Sequence, residues 1–294
     1  MREIAPGRRK PPGRRRVNDP QRPHMIRSIY RKVLPLGVRL RLRNALAAGG
    51  AQPGDAADFD RYAVARQYLR GEGIEIGALH QPLRVPPAAR VRYVDRLPVR
   101  ELRAQYPELN EVELVEPDFI ADGELLETVG DASQDFVIAN HFIEHCQNPL
   151  LALSNMLRVL RAGGVLYLTI PDKRYTFDAD RPVTTVEHVL KDYEEGPSWS
   201  RRGHFEEWVR LVNKVEDGRG AAERVEELLG MDYSIHFHVW TQAEMFELLQ
   251  ALRSRLGGGF DTELFLKNAD ECVFVLRKDD PAAPPAPSAA THHA

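Results

Sequence analysis

The sequence predicts an α/β protein built on a largely parallel sheet, and three observations predict it. In residues 135–172 (DFVIANHFIEHCQNPLLALSNMLRVLRAGGVLYLTIPD), an apolar strand, a polar loop, an amphipathic helix, a double-glycine turn and a second apolar strand follow one another. That order is a βαβ unit, because parallel strands need a crossover to join them. Upstream, Gly73-Ile74-Glu75-Ile76-Gly77 and Val91-Arg92-Tyr93-Val94-Asp95 are two further strand endings, each with an acidic residue. Downstream, a capped helix and two strand-like runs close the order.

Each element has a local reason. Phe136-Val137-Ile138-Ala139 is a continuous apolar run, as a strand covered on both faces requires. Leu150, Leu151, Leu153, Met156, Leu157, Val159 and Leu160 recur near helical spacing. Gly163-Gly164 is expected to end that helix, since glycine takes positive φ without strain. The strand at residues 165–170 follows and Pro171 stops it. Thr241-Gln242-Ala243-Glu244 is a capping box, with Met245, Phe246, Leu248, Leu249 and Leu252 as the apolar stripe behind it. Gly257-Gly258-Gly259 ends this helix, and residues 260–265 and 271–276 read as a hairpin pair.

The pattern D-F-V-I-A-N-H-x-I-E-H, then R-V-L-R-A-G-G-V-L-Y-L-T-I-P, resembles the second half of a class I S-adenosylmethionine-dependent methyltransferase of the type 11-like kind. The resemblance covers roughly residues 71–278. It implies a three-layer α/β/α Rossmann-like fold, a seven-stranded and mostly parallel sheet with an antiparallel C-terminal hairpin strand. It implies S-adenosyl-L-methionine as cofactor. Carried over residue by residue, it assigns cofactor contacts to Glu75 and Gly77 of the glycine-rich motif. Asp95 matches the acidic residue that accepts the ribose hydroxyls, Asp122 the one that meets the adenine amino group, and Asn140 and His141 flank the methionine part. Leu79 and Gln81 stand where the family keeps later glycines. A dinucleotide-dependent dehydrogenase would show G-x-G-x-x-G at residues 75–82, which is absent.

About 70 residues between Pro171 and Thr241 have no place in the minimal sheet; in this family such inserts usually cover the substrate. The segments I-P-D-K-R-Y at 170–175 and H-F-H-V-W-T at 236–241 resemble a bacterial subgroup associated with surface-polysaccharide and glycan biosynthesis. Methyl transfer to a hydroxyl needs a base, and histidine titrates near neutrality. His238 and Asp172 are the expected catalytic residues, with His236 and His145 in reserve. Arg174, Tyr175 and His236 are expected to line the acceptor site. Alternation puts His236 and His238 on one side if the segment is extended. No metal is expected. The alternatives are a methyltransferase of another small metabolite and a non-catalytic methyltransferase-like scaffold.

The chain has 294 residues, 43% of them hydrophobic, and a net charge of −3. Residues 1–50 hold 14 Lys/Arg and 2 Asp/Glu, whereas the rest holds 26 and 41. An acidic body argues against a nucleic-acid partner. Residues 1–24 read as a disordered basic tail, 25–57 as a basic amphipathic helical segment and linker, and 58–278 as the methyltransferase domain, with its insert at 172–240. Residues 279–294 read as a disordered tail. The basic face at 26–47 suits peripheral contact with an anionic membrane or a membrane-bound partner. With no long apolar run, no secretion signal and two cysteines, Cys146 and Cys272, a cytoplasmic location is expected, peripheral at the inner membrane face if that contact is made.

Overall fold

The computed structural model describes residues 60–281. The expectations for 1–24, for 25–57 and for the residues after 281 lie outside them. The elements run α1 (Arg61–Tyr68), β1 (Gly71–Ile76), β2 (Ala89–Asp95), α2 (Val99–Gln105), β3 (Phe119–Ile120), β4 (Gln134–Asn140), α3 (Pro149–Val159), β5 (Leu160–Pro171), α4 (Val186–Glu195), α5 (Ser198–Leu211), α6 (Gly218–Gly230), α7 (Gln242–Arg255), β6 (Phe260–Asn268) and β7 (Glu271–Lys278). The seven strands form one sheet in the order β3-β2-β1-β4-β5-β7-β6. All pairs are parallel except those of β7, which is antiparallel to both β5 and β6. This is the expected Rossmann-like methyltransferase architecture. No described helix is long and apolar enough to cross a membrane.

Side-chain alternation along the strands builds two cores. On one face Ile74, Val137, Leu166, Leu168 and Phe274 pack with Leu153 and Met156 of α3 and Met245, Leu248 and Leu252 of α7. On the other, Phe136, Ile138, Tyr167, Val273 and Val275 pack with Val64, Ala65 and Leu69 at α1. Each fully buried apolar side chain is worth roughly 1.5–3 kcal/mol relative to exposure. Residues 172–240 form α4, α5 and α6, and a third core, with Phe205, Trp208, Val225, Leu228, Ile235 and Phe237, lies within this insert. The capping box of α7 is present, with Thr241 N donating to Glu244 Oε2 at 2.9 Å.

Two local expectations, the end of α3 and the apolar stripe of α7, are corrected. The double glycine does not end α3: the helix stops at Val159, and both glycines lie inside β5, in a register irregularity between Gln134↔Leu160 and Phe136↔Val165. Gly163 takes φ +74°, and a Cβ on Gly164 would sit 2.9 Å from the Arg161 carbonyl oxygen, so close backbone approach demands glycine there. No helix joins β1 to β2; residues 77–88 cross over as a loop. Without a helix to start, the later glycines of the motif lose their packing role. Leu79, at one of those positions, still adopts the left-handed φ of +51°. Phe246 is 42% exposed, though its ring meets Phe265 and Phe274 at the sheet's end.

Gly73 faces the Phe136 carbonyl oxygen, which a Cβ would approach to 2.3 Å. Gly73→Ala is therefore expected to cost about 1–3 kcal/mol or more by overpacking. Gly130→Ala, whose nearest neighbour would be at 3.9 Å, should be close to neutral. Urea denaturation of both variants checks the contrast.

Candidate active site

The parallel register brings Ile76 beside Val94 and Ala139, and Asn140 beside Thr169. The residues that follow these strands therefore share the carboxyl edge of the sheet, where open α/β sheets bind ligands. Gly77, with φ +64°, donates its N–H to the Val94 carbonyl at 2.9 Å. Glu75 is buried and accepts the Leu83 N–H at 3.0 Å on both carboxyl oxygens; Asn140 Nδ2 lies 3.3 Å from its Oε1. Thr169 Oγ1 donates to Asn140 Oδ1 at 3.1 Å, which fixes the amide's orientation. Glu75 thus organises the loop that replaces the missing helix and ties it to β4. Burial pushes the Asp95 carboxyl up to about 6, against weak relief from the Leu97 and Arg96 backbone N–H groups. Asp122 is exposed and caps its own turn, accepting the Glu124 N–H at 2.8 Å.

His141 sits directly after β4 in the left-handed region, at φ +49°, held by its N–H to the Thr169 carbonyl at 2.9 Å. Such backbone in a residue other than glycine persists only where its surroundings hold it, and it concentrates at functional sites. Its Nε2 lies 2.6 Å from Glu271 Oε2, and its Nδ1 lies 3.7 Å from Glu144 Oε1. Arg61 Nε donates to Glu271 Oε1 at 2.6 Å, and the guanidinium also meets the other oxygen. Burial alone would raise the Glu271 carboxyl, but hydrogen bonds from Arg61 and His141 hold it far below the usual carboxylate range. Glu144, 1% exposed, has no hydrogen bond to either carboxyl oxygen; it lies between His141 and His236, the latter at 4.0 Å. His236 Nδ1 pairs with Asp178 at 2.7 Å, and Arg181 closes the row with Nη1 2.9 Å from Asp178 and Nε 2.6 Å from Glu207. Burial would raise Asp178, yet His236 and Arg181 bring it below its ordinary value.

The segments 170–175 and 236–241 meet through a parallel bridge, Asp172↔Trp240. The expected catalytic pair is not set up to receive an acceptor there. His238 is fully buried, with Nε2 3.3 Å from the Gln147 carbonyl. Burial, with the His204 and His188 rings, depresses its pKa well below the ordinary value. Asp172 is also buried; burial would raise it, but its carboxylate is clamped by Arg174, at 2.9 Å from Nε and 2.6 Å from Nη2, and is lowered overall. It caps the short turn at Lys173–Tyr175. His236 and His238 do not share a side. Phe237 and His238 N–H both donate to the Glu144 carbonyl, which turns the chain out of an extended path. One histidine joins Asp178 and the other joins His188 and His204. His145 Nδ1 lies 2.9 Å from the Ile235 carbonyl. Tyr175 is half exposed, with its hydroxyl 3.0 Å from Lys267 Nζ. Reasoning from sequence missed Arg61, Glu144 and Glu271. Only Glu144, inside N-H-F-I-E-H, stood in a motif that could have drawn attention to it.

Residues 72–168 match the profile of a family described as "Methyltransferase domain". Among solved structures, the chain is similar to an S-adenosylmethionine-dependent methyltransferase of Methanosarcina mazei, with 16% identity over 76% of this chain and 100% of that one, at a TM-score of 0.42. It is also similar to an S-adenosylmethionine-dependent methyltransferase of Aquifex aeolicus, with 12% identity over 71% and 82% and a TM-score of 0.36. No curated protein matches. The fold rests on the strand order and not on these structural likenesses, and none of them bears on the substrate. S-adenosylmethionine is the cofactor that the match over residues 72–168 indicates.

The edge fits that cofactor on its own chemistry. Gly77 exposes backbone at positive φ, and Asp95 is a desolvated carboxylate short of donors that a ribose diol would supply. In that role Asp95 must be ionised. Cofactor affinity is expected to hold above about pH 6 and to fall as pH drops through it. Asp95→Asn should flatten the profile and weaken binding roughly 10- to 100-fold, the loss of one charge-assisted hydrogen bond of about 1.5–3 kcal/mol. Calorimetry across that range checks both; a flat wild-type profile would remove the ribose assignment.

Proposed function

We propose that the protein methylates a hydroxyl of a sugar or glycan intermediate, with His141 as the proton acceptor. The observation that carries this reading is the Arg61–Glu271–His141 arrangement at the end of β4. Because Glu271 stays ionised, it can only accept, so His141 donates from Nε2 and keeps its lone pair on Nδ1. That is a general base oriented by a carboxylate. The bound cofactor supplies an electrophilic methyl group on a sulfonium. His141 Nδ1 would take the acceptor hydroxyl's proton as the methyl passes from sulfur to the acceptor oxygen, the methyl–sulfur bond breaking to leave a neutral thioether. The resulting imidazolium would lie between Glu271, 2.6 Å from Nε2, and Glu144, 3.7 Å from Nδ1. The His141 side chain is 21% exposed, so an acceptor entering at the sheet edge reaches it.

The sugar assignment draws support from exposed aromatic side chains in the insert. Tyr175 and Trp199 are exposed aromatics beside Lys267, Arg174 and Lys191, whose Nζ lies over the Trp199 ring. Flat apolar faces with hydrogen-bonding neighbours suit the alternating faces of a polyol. In this reading Asp172 positions Arg174, and His236 orients Glu144; His238 belongs to the framework.

His141→Asn should leave cofactor affinity within about threefold and lower kcat by about 10²–10⁴, the range of general-base catalysis. The measurement is release of demethylated cofactor with a panel of methyl glycosides and nucleotide sugars. Unchanged kcat in the variant would remove the base assignment. Turnover only with amines would remove the hydroxyl acceptor, and failure to bind the cofactor would favour a scaffold.

A further inference from the structure

Four side chains in the insert have no part in the proposed chemistry, yet they converge: His188 and Asp192 from α4, His204 from α5, and His238 from the segment before α7. One potential ligand atom from each lies within 4.8 Å of the other three. His188 and Asp192 are one turn apart on α4 and face the same way. We propose that these residues form a transition-metal site, for Zn²⁺ or a cation of the same preference, that ties α4, α5 and the segment before α7 together within the insert.

The spacing is that of a coordination shell. His188 Nε2 lies 3.1 Å from His204 Nε2 and 3.2 Å from Asp192 Oδ2, which lies 3.6 Å from His238 Nε2. A tetrahedron with Zn–N bonds of about 2.0–2.1 Å has edges of about 3.3–3.4 Å. The donor set of three imidazoles and one carboxylate suits Zn²⁺ and its neighbours, whereas Mg²⁺ and Ca²⁺ take oxygen ligands.

One ligand atom of the cluster, Asp192 Oδ2, is buried and has no hydrogen bond. Native interiors rarely leave such atoms without hydrogen bonds. The surroundings also resemble the support a metal site needs. Ser200 Oγ donates to Asp192 Oδ1 at 2.9 Å, leaving Oδ2 for a cation. The Asn148 amide holds the Asp192 backbone carbonyl, the Trp199 ring lies against His188, and Trp240 stacks on His238. Contacts of this kind orient ligands. The second cluster, Glu144, His145 and His236, is the weaker candidate. Its rings are committed to the Ile235 carbonyl and to Asp178.

The test uses the full chain, stripped by a chelator and titrated with Co²⁺ alone, with Zn²⁺ as competitor. The expected result is one equivalent bound, with the visible absorption of a tetrahedral site, displaced by Zn²⁺, and a Tm that rises on loading. His188→Gln and His204→Gln should each weaken Co²⁺ binding at least tenfold and abolish the Tm shift, while His145→Gln leaves both unchanged. Comparison with these variants separates the site from uptake by His292-His293 in the tail. A folded wild-type chain that takes up no stoichiometric Co²⁺ or Zn²⁺, or uptake unaltered in both variants, would overturn the proposal. Circular dichroism of each variant distinguishes a lost ligand from a lost fold.

Discussion

A row of alternating basic and acidic side chains organises this protein: Arg61, Glu271, His141, Glu144, His236, Asp178, Arg181 and Glu207. Four of its members, Glu271, Glu144, Asp178 and Arg181, are at most 3% exposed. A buried charge is tolerable only when opposite charge or hydrogen bonds compensate it, and removing one partner leaves an uncompensated charge that costs about 3–5 kcal/mol. Each link therefore constrains the next. The row starts on the helix before β1, crosses the carboxyl edge of the sheet through the first residue of β7, and ends in the insert. Its centre lies where the fold presents its ligand-binding edge.

That arrangement explains how the insert can be large without leaving the edge undefined. It has a core of its own around Trp208 and Phe237, and it is fastened to the domain by polar links. These are the Glu144 carbonyl with the 237 and 238 N–H groups and the Asn148 amide with the Asp192 carbonyl. Polar fasteners are directional, so they set the position of the insert more sharply than apolar contact would. The loop at 77–88 is anchored on the cofactor side by the buried Glu75 carboxylate.

The legible part of the site followed from chain position. Glu75, Gly77, Asp95 and Asn140 come at strand ends, and strand ends can be read from the apolar runs that precede them. The Gly163-Gly164 error shows the limit of that signal, because a glycine pair after an apolar stripe reads the same whether it ends a helix or bulges a strand. His238 and Asp172 were singled out for residue types suited to proton transfer. Type does not report exposure, and helices α4 and α5, remote in sequence from both, decide what surrounds His238. Glu271 opens a strand with no motif around it, and its partners lie 130 and 210 residues away.

The sequence alone determined the parallel sheet and its antiparallel closing strands, and placed the expected cofactor residues at strand ends. Periodicity and strand-end chemistry are local properties that survive whatever packs around them. Only the tertiary structure decided which histidine is accessible, which carboxylates are held ionised and which side chains converge around Asp192. Burial and charge compensation are properties of contacts between distant segments, and they come into being only when those segments meet.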